Sequence, residues 1–116
     1  MIKKIKEELN IKPLSVNMVY ARGKGKRLYK TENYLAYEKE VLFTLPKHET
    51  IEGKVAIEYE FYLEHPLTCD YDNFIKPLQD LIVKKGWIKD DRYIFDARIR
   101  KFKGRKNKIV IVIYKI

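Results

Sequence analysis

Val55-Ala56-Ile57-Glu58-Tyr59-Glu60-Phe61-Tyr62-Leu63 is the stretch on which the fold turns. Successive side chains of a strand point to opposite sides. Val55, Ile57, Tyr59, Phe61 and Leu63 therefore make one apolar face, while Glu58, Glu60, Tyr62 and then Glu64 make the other. This predicts a half-buried strand that Pro66-Leu67-Thr68 ends. Beyond that break the period changes. Phe74, Ile75, Leu78, Leu81 and Ile82 recur at helical spacing, predicting a helix over about Asp72 to Lys85 that Gly86 stops. Pro77 lies about one turn in, where its missing N–H is a modest loss. Alternation returns after Asp90-Asp91, with Tyr93, Phe95, Ala97 and Ile99 on one face of a strand expected beside the first. Gly104 to Asn107 reads as a hairpin turn, and the unbroken apolar run Ile109 to Tyr114 as a central strand.

Upstream, Thr31 is an N-cap for a helix striped by Tyr34, Leu35, Tyr37, Val41, Leu42 and Leu45 and ended by Pro46. Ser15 to Lys30 reads as a loop. The residues before Pro13 fit two elements: Ile2, Ile5 and Leu9 have helical spacing, and Leu9 and Ile11 alternate like a strand end. The order helix, strand, helix, hairpin predicts an α+β fold, a single small domain over 1–116 with a mixed β-sheet of about four strands packed with two helices.

The 116 residues carry 25 Lys+Arg against 16 Asp+Glu, a net charge of +9, with 46% hydrophobic and 35% charged residues. That composition is globular. The lone Cys69 cannot form an internal disulfide, which points to a reducing, cytoplasmic setting. No apolar run approaches the ~20 residues of a spanning helix, and the charged opening Lys3-Lys4-Ile5-Lys6-Glu7-Glu8 is unlike a signal peptide. No membrane partner is expected. Residues 1–50 hold 11 basic and 6 acidic side chains, residues 51–97 hold 6 and 10, and residues 98–116 hold 8 and none. A basic surround about an acidic middle fits either an uneven solvated surface or a polyanion-binding face around a small acidic site.

That middle contains Asp70-Tyr71-Asp72-Asn73-Phe74-Ile75-Lys76, followed by Asp90-Asp91. Asp70 and Asp72 point to one side of an extended segment, and Asp72, Lys76 and Asp80 recur every fourth residue on one helix face. Gathered carboxylates repel unless a cation joins them. Mg²⁺ takes such oxygen ligands together with substrate phosphate and water, and a neighbouring lysine suits charge stabilisation at phosphorus. The same residues are also common helix caps, helical ion pairs and turn formers. A calcium EF-hand loop is excluded, because its sixth position would be Ile75 and its twelfth Leu81. His48 and His65 lack zinc-site spacing, and no Ser-His-Asp or Cys-His arrangement supports covalent catalysis.

On these residues the chain resembles the RusA-type Holliday-junction resolvases, endodeoxyribonucleases common in phages and prophages. The resemblance runs from Pro13-x-Ser15-x-Asn17 through a basic loop ending Arg27-Leu28-Tyr29 and a helix bearing Tyr37. Its core is Asp70-x-Asp72-Asn73-x-x-Lys76 with Asp80, and it closes on Gly86-Trp87-Ile88-x-Asp90-Asp91. It implies a homodimer with two Mg²⁺-dependent sites (Mn²⁺ is an alternative) that makes paired nicks in four-way DNA. By position it implies Asp70, Asp72 and Asp91 as catalytic, metal-binding carboxylates, Lys76 as the catalytic lysine, and Asn73 and Asp90 as supports. Pro77 departs from an ordinary helix former without moving these residues out of register.

The resemblance makes the Arg22 to Lys30 loop, with Arg22, Lys24, Lys26, Arg27 and Lys30, a grip for branched-DNA phosphates; it carries no Walker pattern. Arg98, Arg100 and Lys101 are further DNA-contact candidates, in a stretch whose charges equally serve solubility at a hairpin tip. Tyr20, Tyr29 and Tyr71 lie off the apolar stripes. The alternatives are a non-catalytic basic DNA-binding module and a nuclease for flaps or forks.

Overall fold

A computed structural model describes residues 2–116, with Lys26 described by its backbone alone. Its strands are β1 (Lys4–Leu9), β2 (Tyr20–Arg22), β3 (Leu28–Lys30), β4 (Val55–Leu63), β5 (Ile94–Lys103) and β6 (Lys108–Lys115). The helices are α1 (Glu32–Thr44) and α2 (Ile75–Lys85). Four strands form a mixed sheet in the order β1-β6-β4-β5, and β2 and β3 form a separate pair. The α+β class, the four-stranded mixed sheet and the two helices are as the sequence predicts.

β6 is central, antiparallel to both β1 and β4. β5 runs parallel to β4, because the chain between them returns through α2, the crossover that parallel strands require. The alternation in β4 divides the sheet as expected. Val55, Ile57, Tyr59, Phe61 and Leu63 are buried with Ile109, Ile111 and Ile113 of β6, Tyr37 and Val41 of α1, and Leu78, Leu81 and Ile82 of α2. Glu58, Glu60 and Tyr62 are only half-buried. Thr31 caps α1 by accepting the Tyr34 N–H at 3.1 Å. Gly86 ends α2 at φ 86°, a left-handed conformation that glycine adopts without steric cost. Trp87 is fully buried, and its ring N–H donates to the Pro46 carbonyl at 2.9 Å.

One open reading is settled and three expectations are corrected. The segment up to Pro13 resolves to strand β1, whose Ile5 and Leu9 complete the core beside β6. Ser15 to Lys30 is more than a loop. It holds a 3-10 turn at Val16–Met18 and the β2–β3 hairpin, reversed through Gly25 at φ 76°. Three-residue strands are too short for alternation to reveal. β5 and β6 form no hairpin, because β4 lies between them. The link passes over the end of β4, where the Gly104 N–H donates to the Leu63 carbonyl at 2.9 Å and the Glu64 N–H to Asn107 Oδ1 at 3.1 Å. β5 is thus an edge, and its Phe95 is 63% exposed. Finally, the helix begins at Ile75 after a 3-10 turn over Tyr71–Phe74. Pro77 therefore falls at the third helical position, where an N–H has no intrahelical partner to lose.

Candidate active site

Asp70 sits in extended backbone (φ −69°, ψ 146°) at the start of the 3-10 turn that leads into α2. Its carbonyl accepts the Asn73 N–H at 3.2 Å. Neither the 3-10 turn nor α2 is capped by a side chain. The carboxylates of Asp70 and Asp72, both exposed, are therefore not spent as helix caps. Asp90 differs: its Oδ1 accepts the Arg92 N–H at 3.1 Å, and that bond, first among several causes, holds its carboxyl below the usual carboxylate range. The two neighbouring aspartates are thus unlike, Asp90 a turn cap and Asp91 turned toward the helix.

On α2, Lys76 Nζ lies 2.8 Å from Asp80 Oδ1 and 3.4 Å from Asp91 Oδ2. Hydrogen bonding to Asp80 is the main cause that raises the Lys76 pKa, with Asp91 adding to it against a desolvation cost. The expected i,i+4 pair is present, but the four-residue rhythm begins at Lys76, since Asp72 precedes the α-helix. Tyr59 is buried nearby and donates to Gln79 Oε1 at 3.0 Å. Burial is the chief cause that pushes its hydroxyl well above the ordinary tyrosine value, and Asp80 and Asp91 both add to it.

Asn73 is half-buried, with Nδ2 donating to Cys69 Sγ at 3.6 Å. Lys101 reaches the same segment from β5, donating to the Cys69 carbonyl at 2.8 Å. Among the described residues no group of three or more His, Cys, Asp or Glu is close enough to hold a metal ion. Lys76 and Asp91 are brought together; Asp70 and Asp72 stand apart on the preceding turn.

Two clefts adjoin the site. One of about 300 Å³ lies between the hairpin and α2 and is lined by Tyr20, Lys30, Tyr34, Lys76, Asp80 and Lys84 among others. In it Tyr34 is pushed up to about 12, by burial first and then by Glu38. The other, about 920 Å³, includes Ser15, Asn17, Tyr37, Asp70 and Asn73 in its lining. The Pro13-x-Ser15-x-Asn17 segment, far upstream in sequence, therefore shares a groove with Asp70. The Tyr37 hydroxyl is buried there with no hydrogen-bond partner among the described residues, and burial pushes its pKa up.

The basic candidates divide. Arg22, Lys24, Arg27 and Lys30 are exposed on the hairpin, Lys30 with its ammonium 5.3 Å from the Tyr34 ring centroid. The Lys26 side chain lies outside the described residues. Arg98 is exposed on β5, whereas Arg100 approaches Glu60 at 3.8 Å and Glu58 at 4.0 Å. Sequence reasoning placed Tyr59 only on the apolar face of its strand, gave Gln79 no role and placed Lys101 among DNA contacts. Strand register and the docking of α2 on the sheet decide these placements, and no local pattern reveals either.

A family profile described as Endodeoxyribonuclease RusA matches residues 10–114. A curated protein of Aquifex aeolicus (strain VF5), named crossover junction endodeoxyribonuclease RusA, is 27% identical over 105 residues, covering 87% of this chain and 83% of the relative. The matched span takes in the Ser15–Asn17 segment, the hairpin, the Asp70–Lys76 turn and Asp91, and on that span the chain belongs to the RusA family of endodeoxyribonucleases.

Proposed function

We propose that the protein is a structure-specific endodeoxyribonuclease that resolves four-way DNA junctions by paired, symmetric nicks. It acts as a homodimer with one site per protomer, in the cytoplasm where such DNA lies. Asp70, Asp72 and Asp91 would hold the divalent cation, Mg²⁺ or in its place Mn²⁺. The donor chemistry fits, since every ligand would be a carboxylate oxygen, the kind a hard cation takes; the three are not gathered among the described residues, so Asp70 and Asp72 would have to close on Asp91 as the cation binds. The carboxylates of Asp70 and Asp72 are left uncommitted by helix capping, and Asp91 stands 3.4 Å from Lys76. When bound, the ion supplies a more acidic water and Lewis-acid stabilisation of the departing oxygen.

The chain's own residues do the rest. Asp80 pairs with the Lys76 ammonium at 2.8 Å and holds it beside Asp91, where its charge stabilises the phosphate oxygens as negative charge builds on them. Asn73 and Asp90 support the turns that carry the ligands, Asn73 through Cys69 and Asp90 through the Arg92 N–H. The hairpin's Arg22, Lys24, Lys26, Arg27 and Lys30 contact phosphates, with Arg98 as a lesser contact. The shape of the branch, more than base sequence, sets recognition.

The observation that carries this reading is the Lys76–Asp91 contact, together with two aspartates that cap nothing on the turn leading into the same helix. The test is cleavage of an end-labelled four-way junction and a matched duplex, with Mg²⁺ or chelator. Wild type is expected to nick only the junction, symmetrically, and only with Mg²⁺. Asp72→Asn is expected to lose roughly a hundredfold or more in rate while binding the junction at least as tightly. A mutant that cuts at the wild-type rate overturns the assignment. Tight binding without cleavage under any divalent ion leaves a DNA-binding module.

A further inference from the structure

We propose that Lys101 is a positioning residue for Asp70, holding the segment that presents its carboxylate; the proposal rests on Asp70 belonging to the site. Lys101 stands opposite Phe61 in the β4–β5 register. Paired residues in neighbouring strands share a face, so Lys101 projects toward the side of the sheet where Phe61 meets Phe74 at 5.3 Å between ring centroids. Phe74 ends the 3-10 turn that begins just after Asp70. From that side the ammonium donates to the Cys69 carbonyl at 2.8 Å, and Lys101 is half-buried.

The held group is the peptide linking Cys69 to Asp70. Cys69 is extended at φ −153° and ψ 147°, between two 3-10 turns at Pro66–Thr68 and Tyr71–Phe74. Extended backbone between such turns lacks the ladder bonds that fix a strand or the i,i+4 bonds that fix a helix. Side chains fix it here. Lys101 binds the carbonyl of Cys69 and Asn73 binds its sulfur at 3.6 Å, while the Asn73 N–H closes on the Asp70 carbonyl at 3.2 Å. Lys101 is the member of this set that ties the turn to the rigid sheet. Its neighbour Arg100 is engaged by Glu58 and Glu60, so adjacent cations on β5 serve different ends. A phosphate contact would weaken DNA binding when lost; a positioning contact would slow cutting of DNA already bound.

Lys101→Met, Lys101→Arg and Lys47→Met, a control in the 46–53 connector, separate these. Three quantities are measured: the single-turnover cleavage rate on prebound junction, junction Kd, and hydrogen exchange of the 69–74 amides in the protein alone. For Lys101→Met the rate is expected to fall roughly ten- to a hundredfold, with Kd within about twofold and faster exchange at 69–74. Lys101→Arg, which keeps a charged donor, restores most of the rate and the protection. Lys47→Met changes neither. A weakened Kd with an unchanged rate on bound junction makes Lys101 a phosphate contact and overturns the proposal, as does faster exchange with an unchanged rate. Should Lys101→Met fail to fold, the arginine variant decides: wild-type exchange with a lost rate counts against positioning. If Asp70→Asn cuts like wild type, the site assignment itself fails, whatever the Lys101 variants do.

Discussion

The β2–β3 hairpin and the edge strand β5 are both rich in cations, and the fold treats them differently. In the hairpin, the strands pair Tyr20, Ala21 and Arg22 with Lys30, Tyr29 and Leu28, so no carboxylate stands across from a cation. Lys24 and Arg27 are exposed at its tip. In β5, Arg98 and Arg100 stand across from Glu58 and Glu60 of β4, Arg100 draws to both acids, and Lys101 is taken by a carbonyl. A run of basic residues therefore says little about phosphate binding until the neighbouring strand is known. Register, not charge count, decides which cations are left for a polyanion.

The sharpest way to break this contrast is to strip each region in turn. Lys24→Ala with Arg27→Ala is expected to cost about tenfold or more in junction affinity and to lower the salt slope by roughly 2, the signature of two lost phosphate contacts. Fluorescence anisotropy across a salt series reads both. The matched pair Arg98→Ala and Arg100→Ala should change affinity by less than about threefold. Its effect is on stability, about 1 kcal/mol or less at these partly exposed pairs, since Glu58 and Glu60 lose their cations. The reverse order of the two affinities would overturn the comparison.

A smaller effect concerns the packing beneath the hairpin. Tyr34 is pushed up to about 12, and Tyr37 and Tyr59 are also raised, in each case chiefly by burial. A raised folded pKa means that the native chain holds protons the unfolded chain has released. Stability is therefore full below the ordinary tyrosine value of 10 and declines as pH rises from there toward about 12. Thermal melts from about pH 9 upward should show this decline. Tyr34→Phe is expected to make it shallower; an unchanged slope would take Tyr34 out of the account.

Much of this molecule is legible without coordinates because its signals are local. The alternation of β4 and the stripe of α2 are periodicities, and Thr31 and Gly86 act on the backbone within a few residues of themselves. The Asp70–Lys76 spacing carries the family, and the Lys76–Asp80 pair follows from helical pitch. What escaped were features with no local signature. The hairpin strands are three residues long, and the turn before α2 replaces a helical start that periodicity would continue. Asp90 and Asp91 are chemically identical and adjacent, and only the backbone around them makes one a cap and the other a partner of Lys76.

The sequence by itself determined the α+β class, the strand at 55–63, the two helices and the residue types of an acidic, lysine-bearing site. Each follows from the alternation of side chains along a strand, the helical pitch, or the chemistry of one short motif. Tertiary structure alone decided that β4 lies between β5 and β6, that Arg100 is answered by acids, that Lys101 holds the Cys69 carbonyl and that Ser15 and Asn17 share a groove with Asp70. The physical reason is that strand order and register are set by burying all the apolar faces at once, a condition on the whole chain that no single segment contains.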